Sequence, residues 1–275
     1  MYSRPLATTA KSRACLKQRQ PAVLLHGHLG VPTMLTENDE QWLRNNYAAL
    51  QSSNGAVSGS ITFTASYDRD TNRFFILGDE ISDRATAVVL SGSFQIRITE
   101  RTNKSTSHLP ALYVHGIDPI PARHFGQADK SACLCSPFDE EDFLKPEFQF
   151  RTFLEQLVIP FLYGQLFYSS EGRWPWPEYT HGATGILEAY SKISNTGRAT
   201  ECLRLLAQDM NWRSISSAFQ QQPYIKGHTL CFCAKPDQIK RCHPDALAGI
   251  RRLQQDLRAL RIPIHKLGEP NVPLH

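Results

Sequence analysis

Residues 61–67, "ITFTASY", alternate in character: Ile61, Phe63, Ala65 and Tyr67 fall on one side, Thr62, Thr64 and Ser66 on the other. Successive side chains of a strand point to opposite faces, so this pattern predicts a half-buried strand. Residues 68–72 read as a turn and 74–77 as a second short strand. Residues 87–98 predict a third, with Phe94, Ile96 and Ile98 on one face, and 112–115 a fourth. No helical pattern lies between them, which points to an antiparallel meander in an α+β fold.

Upstream, Thr36 and Asp39 form a capping-box pattern, in which a hydroxyl satisfies an orphan helix amide. Leu43, Tyr47 and Leu50 then recur at helical spacing beside Trp42, and Asn54-Gly55 is expected to end that helix. The first 36 residues hold no acid and several Arg and Lys. Residues 1–33 read as a flexible basic extension; the composition also allows a transit peptide, and Met34 is an alternative start. His26 and His28 have the look of a metal pair, but no further ligand lies near them in sequence.

Downstream, periodicity is lost from residue 119 to 146, and a long irregular segment within a domain is usually functional. It contains residues 130–143, "KSACLCSPFDEEDF". A helical face follows with Phe150, Phe153, Leu154, Leu157 and Val158, which Pro160 should kink or restart because it lacks an amide hydrogen. The loop 171–182, "EGRWPWPEYTHG", holds Trp174 and Trp176, read as packing residues, and His181. The character changes after Ser191, so a domain boundary is expected between 191 and 199, dividing a domain 34–190 from a helical region 199–275. There Leu203, Leu205 and Leu206 suggest a short helix. A last helix carries Leu247, Ile250, Leu253 and Leu257 on its apolar side, with Arg251, Arg252 and Arg258 on a solvated face.

The totals narrow the choices. The chain has 275 residues and a formal net charge of +4. Acids and bases mix along most of it, which is not a nucleic-acid footprint. No apolar run approaches the roughly 18 residues of a membrane span. Seven cysteines, an odd number that includes two closely spaced pairs, suit a reducing, cytoplasmic setting, with metal binding or catalysis rather than disulfides.

Two cysteine clusters differ in logic. Cys231 and Cys233 are followed, after eight residues, by Cys242 and His243. Four such ligands suit a closed tetrahedral site for structural Zn2+. The spacing resembles the SEC-C zinc motif, although "AKP" stands where that motif has Gly-Ser-Gly. Cys133 and Cys135 have no comparable ligand set and no C-x-x-C redox spacing. A thiol on an irregular loop between a meander and a helix pair is placed as a nucleophile. Alternation would turn Cys135 away from the side on which Cys133 is presented.

The order of these parts resembles the ubiquitin-conjugating enzyme family, in particular its bacterial members, over about residues 34–190. A capped helix, four strands, His124, an eight-residue interval, "CLC", a helix pair and a Trp-rich loop ending in "HG" follow one another. The His-Pro-Asn triplet of that family is replaced by His124-Phe125-Gly126. The resemblance implies a ubiquitin-conjugating-like fold and an acyl group carried as a thioester on Cys133 and passed to an amine. Attack by the amine creates an oxyanion, and one polar donor to it contributes on the order of 3 kcal/mol. His181 is the candidate donor or base, Asp139 would orient or deprotonate the incoming lysine, and His124 stands where that family has a histidine ahead of its cysteine. The donor would be a ubiquitin-like protein or a cGAS-like nucleotidyltransferase of anti-phage (CBASS) systems, activated by a separate enzyme. Neither a membrane nor nucleic acid is expected as partner. Two other readings stay open: an inactive binding module that docks through its zinc hook, and a Cys133–His181 hydrolase.

Overall fold

The computed structural model describes residues 34–77, 87–101, 109–126, 128–144, 148–178, 180–193, 195–222, 224–233 and 235–263. The basic extension 1–33, with His26 and His28, lies outside them. The chain is α+β and divides into two compact units, 34–135 with 139–178, and 136–138 with 179–263.

The first unit opens with α1 (Glu37–Asn46). Its capping box is formed: Asp39 N–H donates to Thr36 Oγ1 at 3.2 Å, and Thr36 N–H donates back to Asp39 Oδ2 at 2.9 Å. The helix ends sooner than expected. Tyr47 caps it, and Leu50 opens a strand, β1 (Leu50–Ser53), not a further helical turn. Asn54 and Gly55, at φ 51° and 70°, make the two-residue turn into β2 (Ala56–Asp68). Both central residues of such a turn need positive φ, which Asn and Gly tolerate best.

The pairing also differs from the expected neighbour-by-neighbour order. Strands β3 (Arg73–Leu77), β4 (Ala87–Thr99) and β5 (Ala111–Val114) follow. β4 does not pair with β3. It runs antiparallel along the whole of β2, from Ala56↔Thr99 to Asp68↔Ala87. β1 and β3 share the other edge of β2, against its first and last residues. β5 completes the sheet on β4. The meander is therefore β1-β2-β4-β5, with β3 a short hairpin on the far end of β2.

The predicted face is the buried one. Val57, Ile61, Phe63, Ala65 and Tyr67 of β2 join Ile96 and Ile98 of β4 in the core. The opposite face carries hydroxyls that bond across the strands, Ser60 and Thr62 to Ser93, and Thr64 to Ser91. A long helix covers the core. It begins as α3 (Phe150–Phe153), widens into a π-helical turn over Leu154–Val158 and continues as α4 (Ile159–Glu171). The wide turn sits just ahead of Pro160, whose ring would otherwise strike the carbonyl four residues back. Phe153, Leu154, Leu157, Val158 and Leu162 are all buried.

The second unit is helical. α5 (Gly182–Ser191) is apolar around most of its circumference and packs against α9 (Pro244–Ala259), where Leu247, Ile250, Leu253 and Leu257 are buried as the spacing predicts. α6 (Ala199–Ala207) and α7 (Trp212–Gln221) complete the core through Leu203, Leu206, Ile215 and Phe219. The units therefore part between residues 178 and 179, not between 191 and 199, because α5 buries its surface against α9. Gly249 permits that approach: a Cβ there would lie 1.9 Å from the Leu187 carbonyl oxygen. Replacing it by Ala therefore destabilises the second unit by about 1–3 kcal/mol in urea unfolding, although Ala is the better helix former by about 1 kcal/mol.

Candidate functional site

The loop after β5 is anchored by backbone bonds. Ala132 N–H donates to Leu112 O on β5 at 2.8 Å. Phe125 and Ala132 form a bridge and are buried. Cys133 N–H donates to His124 O at 2.7 Å, so the two residues flank each other where the loop closes. Between them, Asp129 Oδ1 accepts from Ser131 N–H at 3.1 Å, an Asx turn, while Ser131 Oγ donates to Asp129 Oδ2 at 2.8 Å. Arg101 Nη2 reaches Ser131 Oγ at 3.1 Å, and its Nη1 stands 3.7 Å from Asp129.

This places Cys133 at the surface, the one exposed cysteine among the described residues. Cys135 is half-buried and packs on the first core; regular alternation would set residues two apart on the same side, so the irregular path of the loop is what parts it from Cys133. Protein still crowds the Cys133 sulfur. Burial pushes its thiol above the ordinary value of 9.0, the Arg101 guanidinium opposes this, and the Asp129 and Glu140 carboxylates add to it. Asp129 itself is held below its usual range: burial would raise it, but the Ser131 hydrogen bonds and the Arg101 charge outweigh that.

His124 is held from all sides. It adopts φ 55° after a short 3-10 turn (Pro121–Arg123). Its Nε2 lies 2.6 Å from Glu178 Oε2, and Trp174 meets its ring edge-on at 4.5 Å. Arg123 donates to Gln165 and Ser169 on α4, and Gln165 donates back to the Arg123 carbonyl. Trp174 donates to the Ala122 carbonyl and lies on Gly164, where a Cβ would meet the indole at 2.1 Å. Trp174 and Trp176 are thus packing residues, as expected.

Asp139 and Glu140 lie in the first turn of α2 (Pro137–Leu144), and Glu140 Oε1 accepts from Leu109 N–H at 2.9 Å. His181 belongs to the second unit, exposed, as the N-cap of α5, with its carbonyl accepting from Thr184 Oγ1. The structure thus brings Cys133 and His124 side by side and adds Arg101, Asp129, Ser131 and Glu178, which the sequence reading did not select. The Asp-Lys-Ser turn at 129–131 was the local sign available for two of them.

The second cluster assembles in the knuckle between α7 and α9. Cys231 N–H donates to Asp237 O and Ile239 N–H to Thr229 O, folding the segment back on itself, and α8 (Ile239–Cys242) follows. The ligand atoms of Cys231, Cys233, Cys242 and His243 all lie within 4.8 Å of one another. Cys231 Sγ is 3.1 Å from His243 Nδ1, and Cys233 Sγ is 3.4 Å from Cys242 Sγ. A tetrahedron with metal–sulfur bonds of about 2.3 Å has edges of about 3.8 Å, so this set could hold one metal ion. Lys235 N–H donates to Cys233 Sγ, a bond that favours the thiolate. Burial of α9's Gln254, which bonds Ile225 N–H and Gln222 O, holds the entry to the knuckle.

No protein-family model, curated protein or solved structure matches the chain. No helix among the described residues is long and apolar enough to cross a membrane.

Two outcomes are expected. Iodoacetamide modifies Cys133 before Cys135 in peptide mass mapping, and because only the thiolate reacts, the Cys133 rate climbs with pH through a midpoint above 9.0. Metal analysis of the purified protein finds one equivalent per chain, and Cys231→Ser or Cys242→Ser reduces this at least tenfold.

Proposed function

We propose that the first unit is a ubiquitin-conjugating-like acyl carrier with Cys133 as nucleophile, and that the second unit holds a structural Zn2+. The observation that carries the first reading is the exposed Cys133, fastened to His124 by the backbone directly after a four-strand antiparallel meander and before a helix pair. The zinc reading rests on the three cysteines and one histidine, which fill four positions and leave none for water.

In this reading the Cys133 sulfur attacks an activated acyl carbonyl. A C–S bond forms, the activating group leaves, and the thiol proton passes to solvent or to the leaving group. An amine then attacks the thioester, a C–N bond forms, the C–S bond breaks, and the sulfur regains a proton as the amine loses one. A thiol with a raised pKa rests protonated, so the sulfur must give up its proton as it attacks. Asp139 and Glu140 supply negative charge beside the loop for an incoming ammonium. His124 acts as a positioning residue through its carbonyl. The reading rests on the first unit alone, so His181 has no part in it. The donor is a ubiquitin-like protein or a cGAS-like nucleotidyltransferase in a bacterial defence system, activated elsewhere.

The absent His-Pro-Asn triplet and the raised Cys133 thiol favour a second reading, a binding module without turnover. One experiment separates the two. The purified chain is mixed with the proteins encoded beside it and an ATP source, then analysed by non-reducing gel and intact mass. A thiol-labile adduct is expected in wild type and absent in Cys133→Ala, with Cys135→Ser retaining it and Cys133→Ser forming a thiol-stable oxyester. No adduct under any of these conditions leaves the binding module.

A further inference from the structure

The modest net charge of the chain hides two opposite imbalances beyond the five cations of residues 1–33. Residues 34–178 carry nineteen Asp and Glu against twelve Lys and Arg, whereas residues 179–275 carry thirteen Lys and Arg against seven acids. Within the second unit the cations fall into two groups. Some are engaged: Arg198 pairs with Glu201 at 2.6 Å, and Arg252 with Asp256 at 3.4 Å. Those on the knuckle are not. Lys226, Lys235, Lys240 and Arg241 are exposed, and none forms an ion pair among the described residues. They are gathered by the turn that assembles the metal cluster. Lys240 N–H donates to Gly227 O, and the Lys240 side chain lies over Gly227, between Lys226 and His228. Lys235 is fixed two residues from Cys233 by its own amide. One acid, Asp237, sits in this segment, and a dication held by three thiolates adds a single negative charge. Four cations outnumber both.

The same segment carries apolar exposure. Tyr224 is 44 % exposed and Leu230 68 %. The Arg251 guanidinium lies 4.6 Å from the Tyr224 ring centroid and is itself fixed by donating to Ile225 O at 2.9 Å. A partly exposed ring backed by a fixed guanidinium, in the same segment as four exposed cations, has the parts of a stacking platform beside a phosphate track. Such pairing of aromatic faces with cations is how single strands are held without sequence readout. An acidic peptide would use the cations but not the ring.

We propose that the knuckle face formed by Tyr224, Lys226, Lys235, Lys240 and Arg241 binds single-stranded nucleic acid, with a base on Tyr224 and phosphates on the cations. The chain-wide charge conceals this because the acidic first unit offsets the basic second one. The proposal is independent of acyl transfer at Cys133.

The test uses the full chain with its metal and fluorescein-labelled oligo-dT and oligo-U of about 16 nucleotides, followed by anisotropy from about 50 mM salt upward. Affinity is expected to fall with salt at a log–log slope of about 3, roughly 0.7 per phosphate contacted. Lys240→Gln with Arg241→Gln lowers the slope by about 1.4. Tyr224→Ala weakens binding about 5- to 100-fold at unchanged slope, the loss of one stacked base. All these side chains are exposed, so the fold tolerates the changes, and circular dichroism checks it. Absence of binding at about 50 mM salt overturns the proposal. So does binding that none of the variants weakens, which places it elsewhere on the chain. Polyglutamate competing as well as the oligonucleotide, with Tyr224→Ala silent, overturns it in favour of an acidic protein surface.

Discussion

The first unit depends on one strand. β2 has thirteen residues, and both its edges are occupied: β4 along its full length on one side, β1 and β3 end to end on the other. A strand so enclosed cannot slip by one residue without turning Val57, Ile61, Phe63, Ala65 and Tyr67 out of the core and the hydroxyl row into it. Register at β2 fixes β4, β4 fixes β5, and β5 receives the Ala132 amide that seats the cysteine loop. The position of Cys133 is thus inherited from a packing decision made far from it.

Both candidate sites use the same economy. In each, a segment doubles back through a few main-chain bonds and presents sulfur where the chain reverses. In the loop after β5 the bonds isolate one thiol and leave it facing solvent. In the knuckle they bring three thiols and an imidazole to a common point. The different outcomes follow from what surrounds the sulfur: carboxylates and a guanidinium around Cys133, other ligand atoms around Cys231.

Much of this was legible in the sequence where the signal is local. The alternation at 61–67 and the four leucine and isoleucine positions of α9 report burial directly, because each element has one buried side. The Cys231, Cys233, Cys242 and His243 spacing is equally local. Three features were not legible. Leu50 follows Leu43 and Tyr47 at helical spacing, so period alone assigns it to α1, and only pairing with Gly59 makes it a strand. The omission of β3 from the meander is a non-local choice between two partners for β4. The unit boundary was read too late because α5 looks like a core helix of whichever unit precedes it. Arg101 escaped notice for a related reason: thirty residues separate it from the serine it bonds.

The bond from Cys133 N–H to the His124 carbonyl is drawn entirely from the main chain. The bond itself uses no side chain, so the anchorage asks of residue 124 only that it tolerate the φ of 55° found there. A loop fastened this way can be recoded between its stems while its sulfur stays in place. Drift in this protein would then erase the residues flanking the thiol long before it moved the thiol itself.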